Sequence, residues 1–366
     1  MRRAPLIPPL ILGGGPAGAA AAIVLARAGT PATVIERTRD TGDALCGGFL
    51  SWRTLDALAA LGIERNRLSR DRITRLRLFA QGRCIESPLP APAIAVSRRH
   101  LDSLLLGHAA ALGTGVERGV AARTIDSRTI RTADGATLTP EALFLATGKH
   151  DVRGAARPAA ARGADPTLGL RQRRAPCATL DRLVGDAIEL HLFDRGYAGI
   201  ARQEDGSTNI CLAVHRSRLE AAGDPARLLA VLAAESPALG ERLSAGDGGA
   251  IEAVANVPYG WRATRGTPGC FRLGDQAAVI PSLAGEGMGI ALASGASAAQ
   301  AWLAGRDAAA WQRGFARRAA RPLAIAGAVR ALAERPLLAA PLLALAARSG
   351  LIHVIARATR IDHPAH

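Results

Sequence analysis

The sequence of 366 residues is almost without lysine, of which Lys149 is the single example, and only 3% of it is aromatic. Its formal net charge of +15 therefore comes from arginines, and these are scattered along the chain. A nucleic-acid-binding surface would gather its basic side chains in a stripe with interleaved aromatic residues. We therefore expect no nucleic-acid partner, while the positive charge suits an anionic cofactor or an anionic membrane surface.

Cysteine is scarce as well. The five cysteines are odd in number, widely spaced and form no Cys-x-x-Cys pair: Cys46, Cys84, Cys177, Cys211 and Cys270. This spacing argues against a disulfide framework and against a zinc site. It predicts a reducing, cytoplasmic location and no bound metal.

Long apolar runs are missing too, since none reaches the roughly eighteen residues that a membrane-spanning helix needs. The start of the chain, Met1-Arg2-Arg3 followed by an apolar stretch, is similar to a signal peptide. However, Pro5, Pro8 and Pro9 interrupt that stretch, and it runs directly into a glycine motif. We interpret it as a short tail followed by a strand. Peripheral contact with a membrane stays open.

The most informative segment is Gly13-Gly14-Gly15-Pro16-Ala17-Gly18, which follows the apolar residues 10–12 and opens an alanine-rich helix. In a turn of this form, Gly13 allows the tight passage from strand to helix, and Gly15 lets backbone N–H groups approach a pyrophosphate. Gly18 lets the helix pack closely on the sheet. We predict that this turn, with Pro16 and Ala17 at the helix start, binds a dinucleotide at the positive end of the helix.

An acidic residue supports this prediction. Glu36 closes the next apolar segment, about twenty residues further on, where an acid accepts hydrogen bonds from the adenosine ribose. Arg37 stands beside it and is included in the predicted cofactor site, so NADP is disfavoured and not excluded. The turn and the acid by themselves leave open whether the dinucleotide is FAD or NAD.

The remaining sequence alternates between two patterns. Short apolar strands at 143–146 and 270–273 and helical segments at 101–112 and 286–303 suit a parallel α/β domain. Between them, strand-like pieces separated by turns that end in glycine predict an antiparallel meander; they cover 188–193, 197–201 and 209–214. Alanine- and leucine-rich helical sequence continues to about residue 357. We predict an α/β fold with a parallel sheet, interrupted by an antiparallel insert and followed by C-terminal helices.

A second motif lies far along the chain, at Gly274-Asp275 and at Gly285-Glu286-Gly287-Met288-Gly289. Together with the first turn it resembles the flavoprotein superfamily of p-hydroxybenzoate hydroxylase and geranylgeranyl reductase. The resemblance implies that Asp275, after Gly274, hydrogen-bonds the ribitol of FAD. It also implies that the turn and helix start, with Gly285, Gly287, Met288 and Gly289, lie against the flavin pyrimidine edge. A helix N-terminus there stabilises the negative charge of a reduced flavin.

The same resemblance extends to two further segments. Ser97-Arg98-Arg99-His100-Leu101-Asp102 is similar to the family's Arg-x-x-Leu-Asp helix start, which places Arg98 near the FAD diphosphate. Cys46-Gly47-Gly48 resembles the Cys-Gly-Gly of the geranylgeranyl reductase branch, which places Cys46 close to the flavin ring. A solvated helix end and a buried packing cysteine are the structural alternatives.

From this resemblance and from the order of the segments, we predict that the chain forms three structural units. A discontinuous Rossmann-like FAD-binding domain comprises 1–70, 98–155 and 265–305, and an antiparallel β substrate-binding domain comprises 71–97 and 156–264. A C-terminal helical region comprises 306–366.

One segment departs from the family. Where its hydroxylases have Ala-Asp-Gly followed by Ser and Arg, this chain has Ala146-Thr147-Gly148, then Lys149-His150-Asp151-Val152-Arg153. The replacement by Thr147 weakens the assignment as an NAD(P)H-dependent aromatic hydroxylase. We take Cys46 and His150 as the candidate catalytic residues, His150 as a proton donor. Solvated loop positions are the default interpretation for Lys149 and His150.

These observations favour an FAD-dependent oxidoreductase that acts on a hydrophobic small molecule of prenyl, lipid or polyketide type, by C=C reduction as in geranylgeranyl reductases. Three alternatives stay open: a flavin-dependent monooxygenase that hydroxylates an aromatic or polyketide substrate, a non-redox enzyme similar to lycopene cyclases, and a non-catalytic dinucleotide-binding interaction protein. No second Gly-x-Gly-x-x-Gly follows the first. Any NAD(P)H is therefore expected to be a transient electron donor, or a separate reductase delivers the electrons. The oligomeric state is left open.

Overall fold

The structure is a computed structural model that describes residues 7–339, 341 and 350–361. A parallel five-stranded sheet carries the glycine-rich turn. In spatial order its strands are β16 (Cys270–Arg272), β10 (Leu143–Leu145), β1 (Leu10–Leu12), β2 (Thr33–Glu36) and β6 (Gly115–Arg118). We expected the first strand to begin near residue 6, which lies outside the described residues. The observed β1 is shorter because residues 8 and 9 are prolines, which cannot donate to the ladder.

Three helices flank this sheet and bring both glycine motifs to it. They are α1 (Pro16–Arg27), α3 (Arg98–Ala111) and α8 (Gly287–Leu303). The contact between α1 and α8 is very close, since a Cβ atom on Gly295 would overlap the Ala17 carbonyl oxygen and lie 3.0 Å from Ala20 Cβ. Small residues on both helices therefore allow the start of α8 to reach the same edge of the sheet as the start of α1.

The second sheet has eight strands and is antiparallel except for one pair. In spatial order it contains β15 (Glu252–Val257), β11 (Thr167–Arg174), β14 (Thr208–His215), β13 (Gly196–Arg202), β12 (Ala187–Phe193), β4 (Ile73–Ala80), β5 (Arg83–Ala95) and β3 (Phe49–Leu50). The parallel pair is β12 with β4, which joins the two sequence segments of the sheet. The predicted fold class, a parallel α/β domain interrupted by an antiparallel unit, is confirmed.

Three strands of this sheet were not predicted, namely β5, β11 and the two-residue β3. β5 contains Pro88, Pro90 and Pro92, and prolines within a run argue against a strand because they lack an N–H donor. They occupy every second position, so the missing donors all face one edge of the strand. β4 pairs with residues 83–88 and with Ala93, and the ladder is interrupted between them, where Pro90 and Pro92 lie. β11 (Thr167–Arg174) lacks a clear alternation because four of its eight residues are Arg or Gln.

The remaining elements lie around the two sheets. A three-stranded sheet is formed by β7 (Ala122–Asp126), β8 (Thr129–Thr132) and β9 (Thr137–Leu138). The other helices are α2 (Trp52–Ala60), α4 (Ala178–Val184), α5 (Arg216–Ala222), α6 (Pro225–Glu235), α7 (Pro237–Ser244), α9 (Ala308–Ala333) and α10 (Leu351–Ala358). Among the described helices, none combines the length and the apolar character needed to cross a membrane. The domain boundaries remain a prediction.

Candidate functional site

The glycine-rich turn between β1 and α1 shows why glycine is needed at two of its positions. Gly13 has φ +111°, and a Cβ atom there would lie 2.8 Å from the Ala146 carbonyl carbon. A Cβ atom on Gly18 would overlap the Gly13 carbonyl oxygen and lie 3.0 Å from Ile11 Cγ2. These two glycines therefore serve the packing of α1 on the sheet.

Gly15 has a different environment. Its backbone is in an ordinary extended conformation, with φ −73° and ψ −175°. Within 4 Å of its Cβ position there is only the Nη2 atom of Arg98, at 3.3 Å. Gly15 thus keeps open a space between the start of α1 and a guanidinium group, which is where the dinucleotide prediction places an anionic group.

Arg98 is fixed in that place by a bidentate ion pair. Its Nε and Nη2 atoms donate to the two carboxylate oxygens of Asp102, one turn further along α3, at 2.8 and 2.6 Å. Asp102 is buried, and Ser97 caps the helix by accepting a hydrogen bond from the His100 N–H. The guanidinium is therefore held charged and oriented towards the glycine turn.

Glu36 lies at the end of β2 beside the same turn. Its carboxylate accepts hydrogen bonds from the Gly14 N–H at 2.9 Å and from the Thr38 N–H and hydroxyl at 3.0 Å. Burial raises the pKa of Glu36, but these hydrogen bonds outweigh it and bring the pKa below its usual value. Glu36 is therefore a fixed anion next to Gly14, and the exposed Arg37 lines the same cleft.

The second motif meets the first across the parallel sheet. Gly274, with φ +55°, follows β16 and donates its N–H to Ser294 Oγ in α8 at 2.8 Å. The Asp275 carboxylate lies 3.3 Å from Lys149 Nζ, and this ion pair raises the pKa of Lys149 against the opposing effect of burial. Lys149 is exposed in the loop after β10, as the default interpretation expects, and from there it pairs with Asp275 at the wall of the cleft.

Two residues that the sequence did not single out for this role hold the Lys149 segment in place. The buried Arg157 donates to the carbonyl oxygens of Gly148, Lys149 and Asp275 at 3.4, 2.7 and 3.0 Å. Gln276 Nε2 donates to the carbonyl oxygens of Gly148 and His150, both at 2.9 Å. Gln276 follows directly after the recognised Gly274-Asp275 pair, whereas nothing in the sequence distinguishes Arg157 from the other arginines.

The turn before α8 forms the far end of the site. Gly285 adopts a left-handed conformation with φ +63°, and a Cβ atom there would lie 2.8 Å from the Phe49 ring. Among the described residues, none has an atom within 4 Å of a Cβ atom placed on Gly287, the first residue of α8. Met288 is buried, and a Cβ atom on Gly289 would overlap the Glu286 carboxylate. The helix start is thus accessible to a ligand at Gly287.

Arg360 and Ile361, the last residues that the structure describes, pack against this turn. The fully buried Glu286 accepts from Arg360 Nη1 at 2.8 Å and from the Ile361 N–H at 3.1 Å. The same Arg360 atom donates to the carbonyl oxygens of Ala284 and Gly285. Burial raises the pKa of Glu286, and the Arg360 charge opposes that effect. Residues after α10 therefore set the shape of the Gly285 turn.

Two cavities lie in this region. The first, which we call the coenzyme cleft, has a volume of about 640 Å³ and is bounded by Gly13, Glu36, Arg98, Lys149 and Asp275. The second, which we call the apolar cavity, has a volume of about 190 Å³. It lies between the eight-stranded sheet, α9 and α10, and is lined mostly by aliphatic side chains, among them Leu76, Leu78, Leu190, Leu192, Val329 and Ile355. It reaches Gly47 and Gly285, so it adjoins the predicted flavin end of the site.

The two predicted catalytic residues lie in different places. Cys46 is half-buried next to Gly47, its carbonyl oxygen accepts from Asn209 at 2.9 Å, and its sulfur accepts from the Gly48 N–H at 3.5 Å. His150 lines the coenzyme cleft, and burial together with the charges of Arg37 and Arg157 lowers its pKa. His150 is not among the residues that line the apolar cavity. Its role as a proton donor stays a prediction, and this position does not support it.

Comparisons with known proteins agree with this geometry. Residues 7–155 match the family described as FAD binding domain. The menaquinone reductase of Mycolicibacterium smegmatis is 35% identical over 106 residues, which cover 28% of this chain and 26% of that protein. The match thus spans about a quarter of the length of this relative.

Two solved structures share the fold at low sequence identity. PqsL, a probable FAD-dependent monooxygenase from Pseudomonas aeruginosa, superposes with a TM-score of 0.70 at 18% identity, covering 93% of this chain and 100% of that one. A geranylgeranyl bacteriochlorophyll reductase-like protein from Thermoplasma acidophilum gives 0.71 at 18% identity, covering 89% and 87%.

The family match and the geometry together identify the cofactor as FAD. The open position of Gly15, the fixed Arg98 guanidinium and the Glu36 anion all lie on the coenzyme cleft and fit a dinucleotide that binds there. The individual binding roles of these residues remain predictions.

Proposed function

We propose that this chain is a member of the FAD-dependent oxidoreductase superfamily of p-hydroxybenzoate hydroxylase and geranylgeranyl reductase, and that it reduces a C=C bond of a hydrophobic small molecule. The observation that carries the proposal is the apolar cavity beside the Gly285 turn. Its aliphatic lining suits a prenyl, lipid or polyketide-like substrate, since burying apolar surface contributes about 25 cal/mol per Å². The name of the partial relative, menaquinone reductase, supports a prenylated substrate.

FAD, when bound and reduced, supplies two electrons and a hydrogen as hydride. The chain would contribute orientation and a dry environment. Arg98, Glu36 and the glycine turn would hold the ADP half, and the open start of α8 would place its positive end against the flavin. The aliphatic side chains of the apolar cavity would keep water from the reacting bond. We further propose that NAD(P)H binds transiently or that a separate reductase supplies the electrons.

A flavin-dependent monooxygenase is the second candidate function. The similarity of the fold to PqsL supports a monooxygenase as strongly as the similarity to the geranylgeranyl reductase-like protein supports a C=C reductase. The two reactions differ in their need for oxygen, and this difference decides between them.

The test uses the FAD-loaded protein, reduced by dithionite without oxygen and mixed with a short-chain prenylated naphthoquinone. Reduction of the C=C bond predicts anaerobic reoxidation of the flavin and, after the ring has been returned to the quinone by air, a product that has gained two hydrogen atoms in its prenyl chain. A substrate unchanged until oxygen is admitted, followed by a product with one added oxygen atom, would establish the monooxygenase instead. A protein that binds FAD and performs neither reaction with this probe would contradict both proposals.

A pair of substitutions locates the substrate. Leu190→Trp fills the apolar cavity and should raise KM or abolish turnover, because the larger side chain occupies the substrate volume. Leu112→Trp, at a surface position that is 36% exposed, is the matched control and should behave as the unmodified protein. Equal kinetics for both variants would place the substrate elsewhere.

Peripheral membrane contact is proposed as well. Large apolar side chains are exposed on the segments whose other residues line the apolar cavity, namely Leu337 at 77%, Leu338 at 57%, Leu351 at 47% and Val354 at 61%. We expect the protein to co-float with anionic lipid vesicles and Leu337→Glu to weaken that binding. Unchanged flotation of this variant would count against the proposal.

A further inference from the structure

Both tyrosines of the chain, Tyr197 and Tyr259, meet at one serine. The Tyr259 hydroxyl donates to Ser282 Oγ at 2.7 Å, and Ser282 Oγ lies 2.7 Å from the Tyr197 hydroxyl oxygen. The backbone N–H of Leu283 donates to that same Tyr197 oxygen at 2.9 Å. The three side chains thus form a continuous chain of hydroxyl groups.

Either hydroxyl can be the donor in the Ser282–Tyr197 hydrogen bond, and one of the two arrangements leaves the Tyr197 proton available. Because Tyr259 donates to Ser282, the Ser282 proton can be donated to the Tyr197 oxygen. That oxygen then accepts from both Ser282 and Leu283, which uses its two lone pairs. The proton of Tyr197 itself is left for a group inside the cavity.

The chain of hydroxyls runs from an accessible end to a buried one. Ser282 is exposed and Tyr259 is half-buried, so both can exchange protons with water. The Tyr197 side chain is only 2% exposed and lines the apolar cavity, as does Ser282. The other strong donor in the lining, Arg360, already donates to Glu286 and to two carbonyl oxygens. Tyr197 is therefore the best-placed proton donor among the described residues around the cavity.

Resting on the proposed reduction, we propose that Tyr197 is its general acid and that Ser282 and Tyr259 return the proton from solvent. A hydride from the reduced flavin forms a C–H bond at one carbon of the double bond. At the other carbon the Tyr197 O–H bond breaks and a second C–H bond forms. The phenolate takes the Ser282 proton, Ser282 takes that of Tyr259, and Tyr259 takes one from water. The substrate gains two electrons and two hydrogens, and the flavin is oxidised.

Burial supports the need for this return path. It raises the pKa of Tyr197 well above the usual 10 of a phenol, so Tyr197 is fully protonated before the reaction. The same burial makes a lasting phenolate unfavourable, and reprotonation through Ser282 removes it. Tyr197 would touch the substrate, whereas Ser282 and Tyr259 act only through it.

The experiment compares two electron acceptors under anaerobic conditions in stopped flow. The dithionite-reduced holoprotein is mixed either with the short-chain prenylated naphthoquinone or with ferricyanide, which takes electrons without needing a proton. With the quinone probe, Tyr197→Phe should form the product with a saturated prenyl double bond on the order of 100-fold more slowly than the unmodified protein. Ser282→Ala and Tyr259→Phe should slow the same reaction by a smaller factor. The solvent deuterium isotope effect seen with the unmodified protein should be absent in Tyr197→Phe.

The controls separate the possible outcomes. Ferricyanide should reoxidise every variant at the same rate, which shows that FAD is bound and the fold intact. Thr129→Val, which removes a 3.1 Å hydroxyl pair with Thr139 in the three-stranded sheet, should be normal with both acceptors. If Tyr197→Phe saturates the prenyl double bond of the probe as fast as the unmodified protein, Tyr197 is not the acid. If the unmodified protein reacts with ferricyanide and never with the probe, the proposed reduction itself fails.

Discussion

Gly15→Ala should separate cofactor binding from folding. The Gly15 backbone conformation is allowed for alanine, and the new methyl group would meet only Arg98 Nη2, at 3.3 Å. We therefore expect the unfolding free energy of the FAD-free protein to change by less than about 0.5 kcal/mol. The methyl group would, however, occupy the space into which a diphosphate must come to reach the N–H groups of the turn.

The loss of affinity can be estimated from the contacts removed. A hydrogen bond to a charged group contributes about 1.5–3 kcal/mol, so displacement of two such bonds costs at least about 3 kcal/mol. At about 1.4 kcal/mol for each factor of ten, the Kd for FAD should rise by roughly 100-fold or more. Isothermal titration of the FAD-free protein measures this Kd, and urea unfolding of the same preparation measures stability.

Two other Gly→Ala variants provide matched comparisons. Gly18→Ala overlaps the Gly13 carbonyl oxygen and should destabilise the FAD-free protein by about 1–3 kcal/mol. Gly107→Ala, on the exposed face of α3 with nothing within 4 Å, should stabilise it by about 0.5–1 kcal/mol and leave FAD affinity unchanged. If Gly15→Ala binds FAD normally, or loses affinity only as far as it loses stability, the diphosphate does not lie over Gly15.

Three further predictions concern other parts of the molecule. Arg360→Gln leaves the Glu286 charge buried and should lower the free energy of unfolding, measured in urea, by about 3 kcal/mol or more. Arg227→Gln removes one member of a solvent-exposed ion pair and should lower it by less than about 1 kcal/mol. Equal losses in the two variants would contradict the role of Arg360. Arg157→Gln should raise the Kd for FAD roughly tenfold, because the hydrogen bonds from Arg157 to backbone carbonyl oxygens are lost. Substitution of the exposed Arg153 by Gln should leave the Kd unchanged. A normal Kd for Arg157→Gln would refute this prediction. Burial raises the pKa of both tyrosines above 10, so the folded state retains protons that the unfolded state loses. The free energy of unfolding should then fall as pH rises above about 10. The folded protein should show no tyrosinate absorbance at 295 nm near pH 10.5, and tyrosines that titrate with a normal pKa would refute this prediction.

The ends of the coenzyme site could be recognised from sequence because they depend on neighbouring residues. A strand, a tight turn and a helix start that must approach a diphosphate require glycine at fixed spacing, as at Gly13, Gly15 and Gly18. Gly274-Asp275 and the Gly285 turn carry the same kind of local requirement. The structure places Gly13, Glu36, Arg98 and Asp275 on one cleft, as these motifs suggested.

Other features could not be predicted because their partners are distant in sequence. Lys149 has no local signal, and its pairing with Asp275 exists only where two strand ends of the parallel sheet meet. Arg360 reaches Glu286 across 74 residues, and Tyr197 reaches Ser282 across 85. The strand β5 was missed for a related reason, since two of its three prolines, Pro90 and Pro92, lie where its pairing with β4 is interrupted.

By itself, then, the sequence determined the α/β fold class and the cofactor FAD, because glycine spacing and apolar periodicity act over a few residues. The tertiary structure decided where the chemistry can take place. It set the apolar cavity against the Gly285 turn, closed that turn with Arg360, and brought the two tyrosines to one serine. Such contacts form only when the eight-stranded sheet and the C-terminal helices pack together, since no local pattern specifies which distant side chains become neighbours.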